Sequence, residues 1–191
     1  MRSFAATMTA MSLLMVFGGL MARDILQTLP TTGYQTIIFA VILSSLSTLL
    51  TPLSSAVGAS TTVPPTTTPV FLGLWPLTAW ILAGVSIGMF TQKTKESIIP
   101  PLIASTLTYL AVIGLAIYTL PKIPDAINWE IYIGKLAQQI ILDGPLDFAF
   151  LFILPLSAAV VTSFIAEAFR PKPIVREPLV RRRFWEWSSE E

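Results

Sequence analysis

Two carboxylates stand out in a chain otherwise poor in reactive side chains. Asp143 and Asp147 lie four residues apart around Gly144-Pro145. On a helix, that spacing puts both on one face. Carboxylates close to hydrocarbon need a cation, a proton, water or a partner, so the pair is the candidate ion or proton site. A structural reading competes with it. Asp143 can be a turn or cap residue and Pro145 the first helical residue, where its missing N–H costs nothing. Asp147 then falls in the first turn, where the helix dipole favours a negative charge. Glu167 lies near the far end of the same segment. Arg170 is three residues on, with Lys93 and Lys95 as further cations, and Glu167 reads as one half of an interfacial ion pair.

Hydroxyls form the second polar group. Ser44, Ser45, Ser47, Thr48 and Thr51 precede Pro52, and Ser54 and Ser55 follow it. On a continuous helix Ser44, Ser47, Thr51 and Ser54 fall close to one face, which gives a candidate polar path. The competing reading is packing glue, because small hydroxyl residues bond across membrane helices and back to their own carbonyls. Gly84-x-x-x-Gly88, and more weakly Ala6-x-x-x-Ala10, are close-packing spacings that let a neighbouring backbone approach. Met8, Met11 and Met15 follow helical spacing and read as deformable packing rather than a soft-metal site.

Composition removes most other chemistry. The chain has no His and no Cys. Imidazole general bases, thiolate nucleophiles, disulfides and most zinc, haem and copper sites are therefore excluded. No metal site, cofactor or catalytic residue is expected. The acids Asp24, Glu96 and Glu167, with the tail glutamates, form no evident metal-ligand motif of the kind a lipid-acting enzyme would need.

The elements that position these residues are membrane helices. Of 191 residues, 53% are hydrophobic and 12% are charged, about half the charge of an average soluble domain. A spanning helix needs about 20 mostly apolar residues. Five stretches qualify, over about 4–22, 35–57, 70–90, 98–120 and 145–169. The fold class is thus an all-α integral membrane protein, a bundle of about five transmembrane helices with one short amphipathic interfacial helix. That interfacial helix is expected over about 128–141, where Trp129, Ile133, Leu136 and Ile140 repeat at helical spacing. Pro64, Pro65 and Pro69 forbid regular helix in the Ser/Thr/Pro connector 59–69. Pro155 removes one backbone hydrogen bond within the last span.

Residues 1–169 form the transmembrane domain, and 170–191 a basic, aromatic tail. Arg181, Arg182 and Arg183, followed by Trp185 and Trp187, suit anchoring to anionic lipid or a cytoplasmic partner. Nucleic acid is not expected, since Glu186, Glu190 and Glu191 offset the run.

Orientation follows from Lys and Arg near helix ends. With the tail cytoplasmic, five spans put the N-terminus outside. Nine basic residues then lie inside and three, Arg2, Lys122 and Lys135, outside, which accounts for all twelve. Reading the first segment as a cleaved signal peptide leaves four spans and puts the basic tail on the wrong side. Trp75 and Tyr118 are expected at the outer interface and Tyr34 at the inner one.

Three function classes remain. The favoured one is a non-catalytic membrane subunit of a larger assembly, in the cell membrane, whose partners are lipid and other membrane subunits. The others are a small transporter or permease component moving a cation or small solute, and a membrane-embedded lipid-acting enzyme.

Overall fold

The computed structural model describes residues 2–23, 34–64, 69–91, 93–122, 134 and 144–169. Asp143, the expected surface helix at 128–141 (Gly134 apart) and the tail 170–191 lie outside them. The described chain is mostly helical. Three of its helices are long and apolar enough to cross a membrane: Ser3–Met21, Thr94–Lys122 and Pro145–Ala168.

Helix α1 spans Arg2–Met21. Its buried face recurs every fourth residue, at Ala6, Ala10, Leu14, Gly18 and Ala22. Helix α2 spans Tyr34–Ser47 and the short helix α3 spans Pro52–Ala56. A two-residue antiparallel ladder follows, with β1 (Thr61–Thr62) paired to β2 (Pro69–Val70). Helix α4 covers Trp75–Thr91. It starts five residues later than expected, because Val70 is tied into the ladder and Gly73 turns the chain at a φ of +59°. Helix α5 covers Ile99–Thr119, with Pro100 and Pro101 in its first turn. The 3₁₀ turns Thr94–Ser97 and Leu120–Lys122 flank it. Helix α6 covers Pro145–Ala168, with Gly144 as its N-cap.

The second expected span is not one continuous helix. It stops at Ser47, turns through Thr48–Thr51 and restarts at Pro52. Pro52 disfavours helical backbone at the residue before it, and Thr51 sits outside the helical region, at φ −119° and ψ 60°. The hydroxyls complete the break: Ser47 donates to the Ser44 carbonyl (3.0 Å) and Thr48 to the Ser45 carbonyl (2.8 Å).

Side-chain contacts fix the relative directions of the helices. On α6, Pro155 and Ala158 meet Gly84 of α4, while Ala159 and Thr162 meet Gly88, so α4 and α6 run parallel. Ser105 of α5 reaches Leu151, and Ser97 just before α5 reaches Ser163, so α5 runs antiparallel to α6. One end of the bundle therefore gathers Trp75, Thr119 and Pro145. Phe39, in the second turn of α2, stacks edge-on against Tyr118 at that end, with ring centroids 5.1 Å apart. The core joins Leu43, Leu46 and Leu49 to Trp80, Ile87, Val112 and Leu151.

Candidate functional site

Asp147 and Ser54, two of the polar groups singled out by spacing, meet at the break between α2 and α3. Asp147, in the first turn of α6, is only 3% exposed. Its Oδ1 accepts the Leu53 N–H at 2.6 Å and the Ser54 N–H at 2.9 Å, and its Oδ2 accepts the Ser54 hydroxyl. Leu53 and Ser54 are the second and third residues of α3. The first N–H groups of any helix lack partners within it, and an N-cap side chain ordinarily supplies one. Thr51, the local N-cap, makes no such bond; its hydroxyl pairs with that of Ser55 at 3.2 Å. A carboxylate more than ninety residues away does the capping instead. The dipole that Asp147 engages is thus that of α3, not only that of its own helix as spacing suggested.

Trp80 closes the other side of the break. Its indole N–H donates to the Leu49 carbonyl at 2.8 Å, fully buried. Residues 43–50 are all buried, so a carbonyl freed there has no water to turn to. Irregular backbone at membrane depth is tolerated only where protein or a wet cavity surrounds it. Here protein side chains surround it.

The four hydroxyls of the expected polar path are each bonded to protein groups. Ser44 donates to the Pro64 carbonyl at 2.7 Å and Ser47 to Ser44. Thr51 pairs with Ser55, and Ser54 binds Asp147. The expectation of a common face rested on one continuous helix over 35–57, and the interruption at Thr48–Thr51 separates Ser44 and Ser47 on α2 from Ser54 on α3.

The same economy recurs elsewhere in the bundle. Pro155 has no N–H, so the Leu151 carbonyl loses its helical partner. Ser105 supplies one from α5, at 2.8 Å. At the far end of α6, Glu167 accepts the Thr94 N–H (3.2 Å) and hydroxyl (2.8 Å), capping the turn Thr94–Ser97. Lys93 pairs with Glu96 at 3.1 Å. Met11 receives a contact from the Thr108 hydroxyl at 3.5 Å.

The close-packing residues have distinct partners. A Cβ on Gly84 would stand 2.4 Å from the Pro155 carbonyl oxygen, and one on Gly88 would stand 2.6 Å from that of Ala159. Ala6 and Ala10 are fully buried on the inner face of α1. Gly18 is the close approach that sequence reasoning missed: a Cβ there would overlap the Ser45 carbonyl, at 1.9 Å. Its register with Ala6 and Ala10, three and two steps of four on respectively, is the available signal. The role of Trp80 is not legible from spacing, because its partner is a main-chain atom. Asp143, Arg181, Arg182, Arg183, Trp185 and Trp187 lie outside the described residues.

No protein-family model, curated protein or solved structure matches this chain. Among the described residues, no group of three or more acids is placed to hold a metal ion.

Proposed function

We propose that this chain is a non-catalytic integral membrane subunit that packs its helix surfaces against other subunits of a larger assembly. The observation carrying this reading is the use made of Asp147. It is the one buried carboxylate among the described residues, and both of its oxygens are taken up in holding α3. Ser44, Ser105, Thr108 and Ser163 are likewise engaged with protein groups. Most buried polar side chains are thus engaged in building the bundle; among the described residues the Thr61 and Thr119 hydroxyls alone are buried without a hydrogen-bond partner. On the outside, Ile103, Leu107, Leu110 and Ile117 of α5 are exposed, and open space lies beside Gly114. Such a face suits lipid or a close-approaching helix. The basic, aromatic tail adds attachment to anionic lipid on the cytoplasmic side of the cell membrane.

Gentle extraction tests the proposal. The chain should leave the membrane with other membrane proteins in fixed ratio, as read by native mass spectrometry from mild detergent. Recovery as a stable, isolated monomer would overturn it.

One observation favours a second reading, a small transporter of a cation or small solute. Interrupted helices near mid-membrane form binding sites in many transporters, and the α2–α3 break has that form. Asp147→Asn decides between the two. An asparagine oxygen still accepts from Leu53 and Ser54, so the cap persists while the charge is gone. Loss of flux in liposomes with the fold retained would support transport. Unchanged flux would remove Asp147 from any such path.

A further inference from the structure

We infer that residues 34–56 are a re-entrant element rather than a crossing, so the chain spans the membrane four times and Arg2 lies on the same side as the tail. The inference rests on the membrane location of the bundle and is independent of the subunit reading.

The segment enters from one end of the bundle, and the chain that follows it comes back toward that end. Phe39 stacks on Tyr118, near the end of α5, while Leu53 and Ser54 bind Asp147, at the start of α6. Phe148, next to Asp147, stacks on Tyr109, so Leu53 and Ser54 lie about 13 Å below Tyr118, and Pro64, whose carbonyl accepts the Ser44 hydroxyl at 2.7 Å, brings the chain back to within about 8 Å of the level of Phe39. Between them the chain dips to Leu49, which meets Trp80 in the second turn of α4. From Phe39 to Leu49 is ten residues, so the dip is at most about 15 Å at helical rise, roughly half of a 30 Å hydrocarbon core. The ladder from Thr61 to Val70 then leads into α4 from the same end.

The direction of α1 follows from two contacts. Met11 lies at the level of Thr108, ten residues or about 15 Å below Tyr118. Gly18 lies against Ser45, six residues and so no more than about 9 Å below Phe39. Gly18 is therefore nearer the shared end than Met11, and α1 climbs toward that end. The opposite direction would put Gly18 about 25 Å below Tyr118, out of reach of Ser45. Thus α1 rises, 34–56 dips and returns, α4 descends, α5 rises and α6 descends. Helix α4, with 17 residues, is at the short limit for a span, and it lies along α6 at both Gly84 and Gly88.

This arrangement replaces the outside N-terminus and the inner placement of Tyr34. It keeps the charge bias. Arg2 and Arg23 exchange sides, so nine of the twelve basic residues still lie with the tail and three opposite. What holds the dip in place is the pair of long-range bonds described above, Asp147 to α3 and Trp80 to Leu49.

The natural chain has no cysteine, so single cysteines report position without background. Ser3→Cys, Thr32→Cys, Ala59→Cys and Ser188→Cys would each be probed in sealed, oriented vesicles with a membrane-impermeant maleimide, before and after permeabilisation. Ser3→Cys and Ser188→Cys should react from one side, and Thr32→Cys and Ala59→Cys both from the other. Ser3→Cys and Ser188→Cys reacting from opposite sides would overturn the inference. So would Thr32→Cys and Ala59→Cys reacting from opposite sides.

Discussion

A carboxylate removed from water is stable only where other groups replace the lost hydration. For Asp147 those groups are two main-chain N–H donors and one hydroxyl, all from a helix distant in sequence. Asp147→Ala should leave the Leu53 and Ser54 N–H groups buried and unpaired, lowering unfolding free energy by about 2–3 kcal/mol. Asp147→Asn keeps an acceptor and should cost about 1 kcal/mol or less, the difference being the charge assistance. Chemical unfolding in detergent, followed by far-UV circular dichroism, measures both. Equal losses would show that the charge, not the cap, matters. Ser105 offers a companion case. Its hydroxyl stands in for the N–H that Pro155 lacks, so Ser105→Ala should cost about 0.6–1.5 kcal/mol. Pro155→Ala restores an N–H four residues after Leu151, and in that background the same Ser105→Ala change should cost less. A double-mutant cycle reads the coupling directly; strict additivity would mean that Ser105 does not serve the freed carbonyl.

Glycines do unlike work in different helices. Gly84 and Gly88 let α4 lie against the backbone of α6, with no room for a methyl group. Gly88→Ala should therefore force the helices apart and cost about 1–3 kcal/mol. Gly114, on the outer face of α5, has nothing within 4 Å of a Cβ position. Gly114→Ala should be neutral or stabilising by up to about 1 kcal/mol, through helix propensity alone. Thermal unfolding of the two variants in one detergent tests the contrast, and a reversed order would contradict the packing. Gly84-x-x-x-Gly88 was legible in the sequence because its spacing of four is itself the contact geometry. The interruption of 35–57 was not, because a hydropathy window adds apolar content and is blind to where the backbone turns. A local warning existed in Thr51-Pro52, flanked by hydroxyls able to satisfy broken helical bonds. The partner that stabilises the break could not be read at all: Asp147 and Ser54 are 93 residues apart, and no periodicity links them. Asp147 was recognised as costly, but its spacing from Asp143 pointed along its own helix instead of across to α3.

For the molecule as a whole, charge and parity pull on the same evidence in different ways. The positive-inside bias depends on how many Lys and Arg residues lie on each side, not on how many helices separate them. Five crossings and four crossings with a re-entrant segment give the same nine-to-three division, because only Arg2 and Arg23 trade places. The count therefore bears on the side of the tail and leaves the side of Arg2 open; the contacts inside the bundle support the proposed placement of Arg2 with the tail. It follows that neither residue should determine orientation. Arg2→Gln leaves eight basic residues opposite three, and Arg23→Gln leaves nine opposite two. The cysteine-labelling pattern should be unchanged in both, with Ser3→Cys and Ser188→Cys still reactive from a common side. Lys93 and Lys95 are different, because in the proposed four-crossing topology they form the only basic turn between two spans on the tail's side. Replacing both with Gln leaves the α4–α5 connection, on that side, without a positive charge, while Arg23 and Lys122 remain at the other end. The tail should still hold the orientation, but a labelled fraction from the wrong side should appear first in this variant. If Arg2→Gln alone inverted the first helix, orientation would be set by its first residues rather than by the bias of the whole chain.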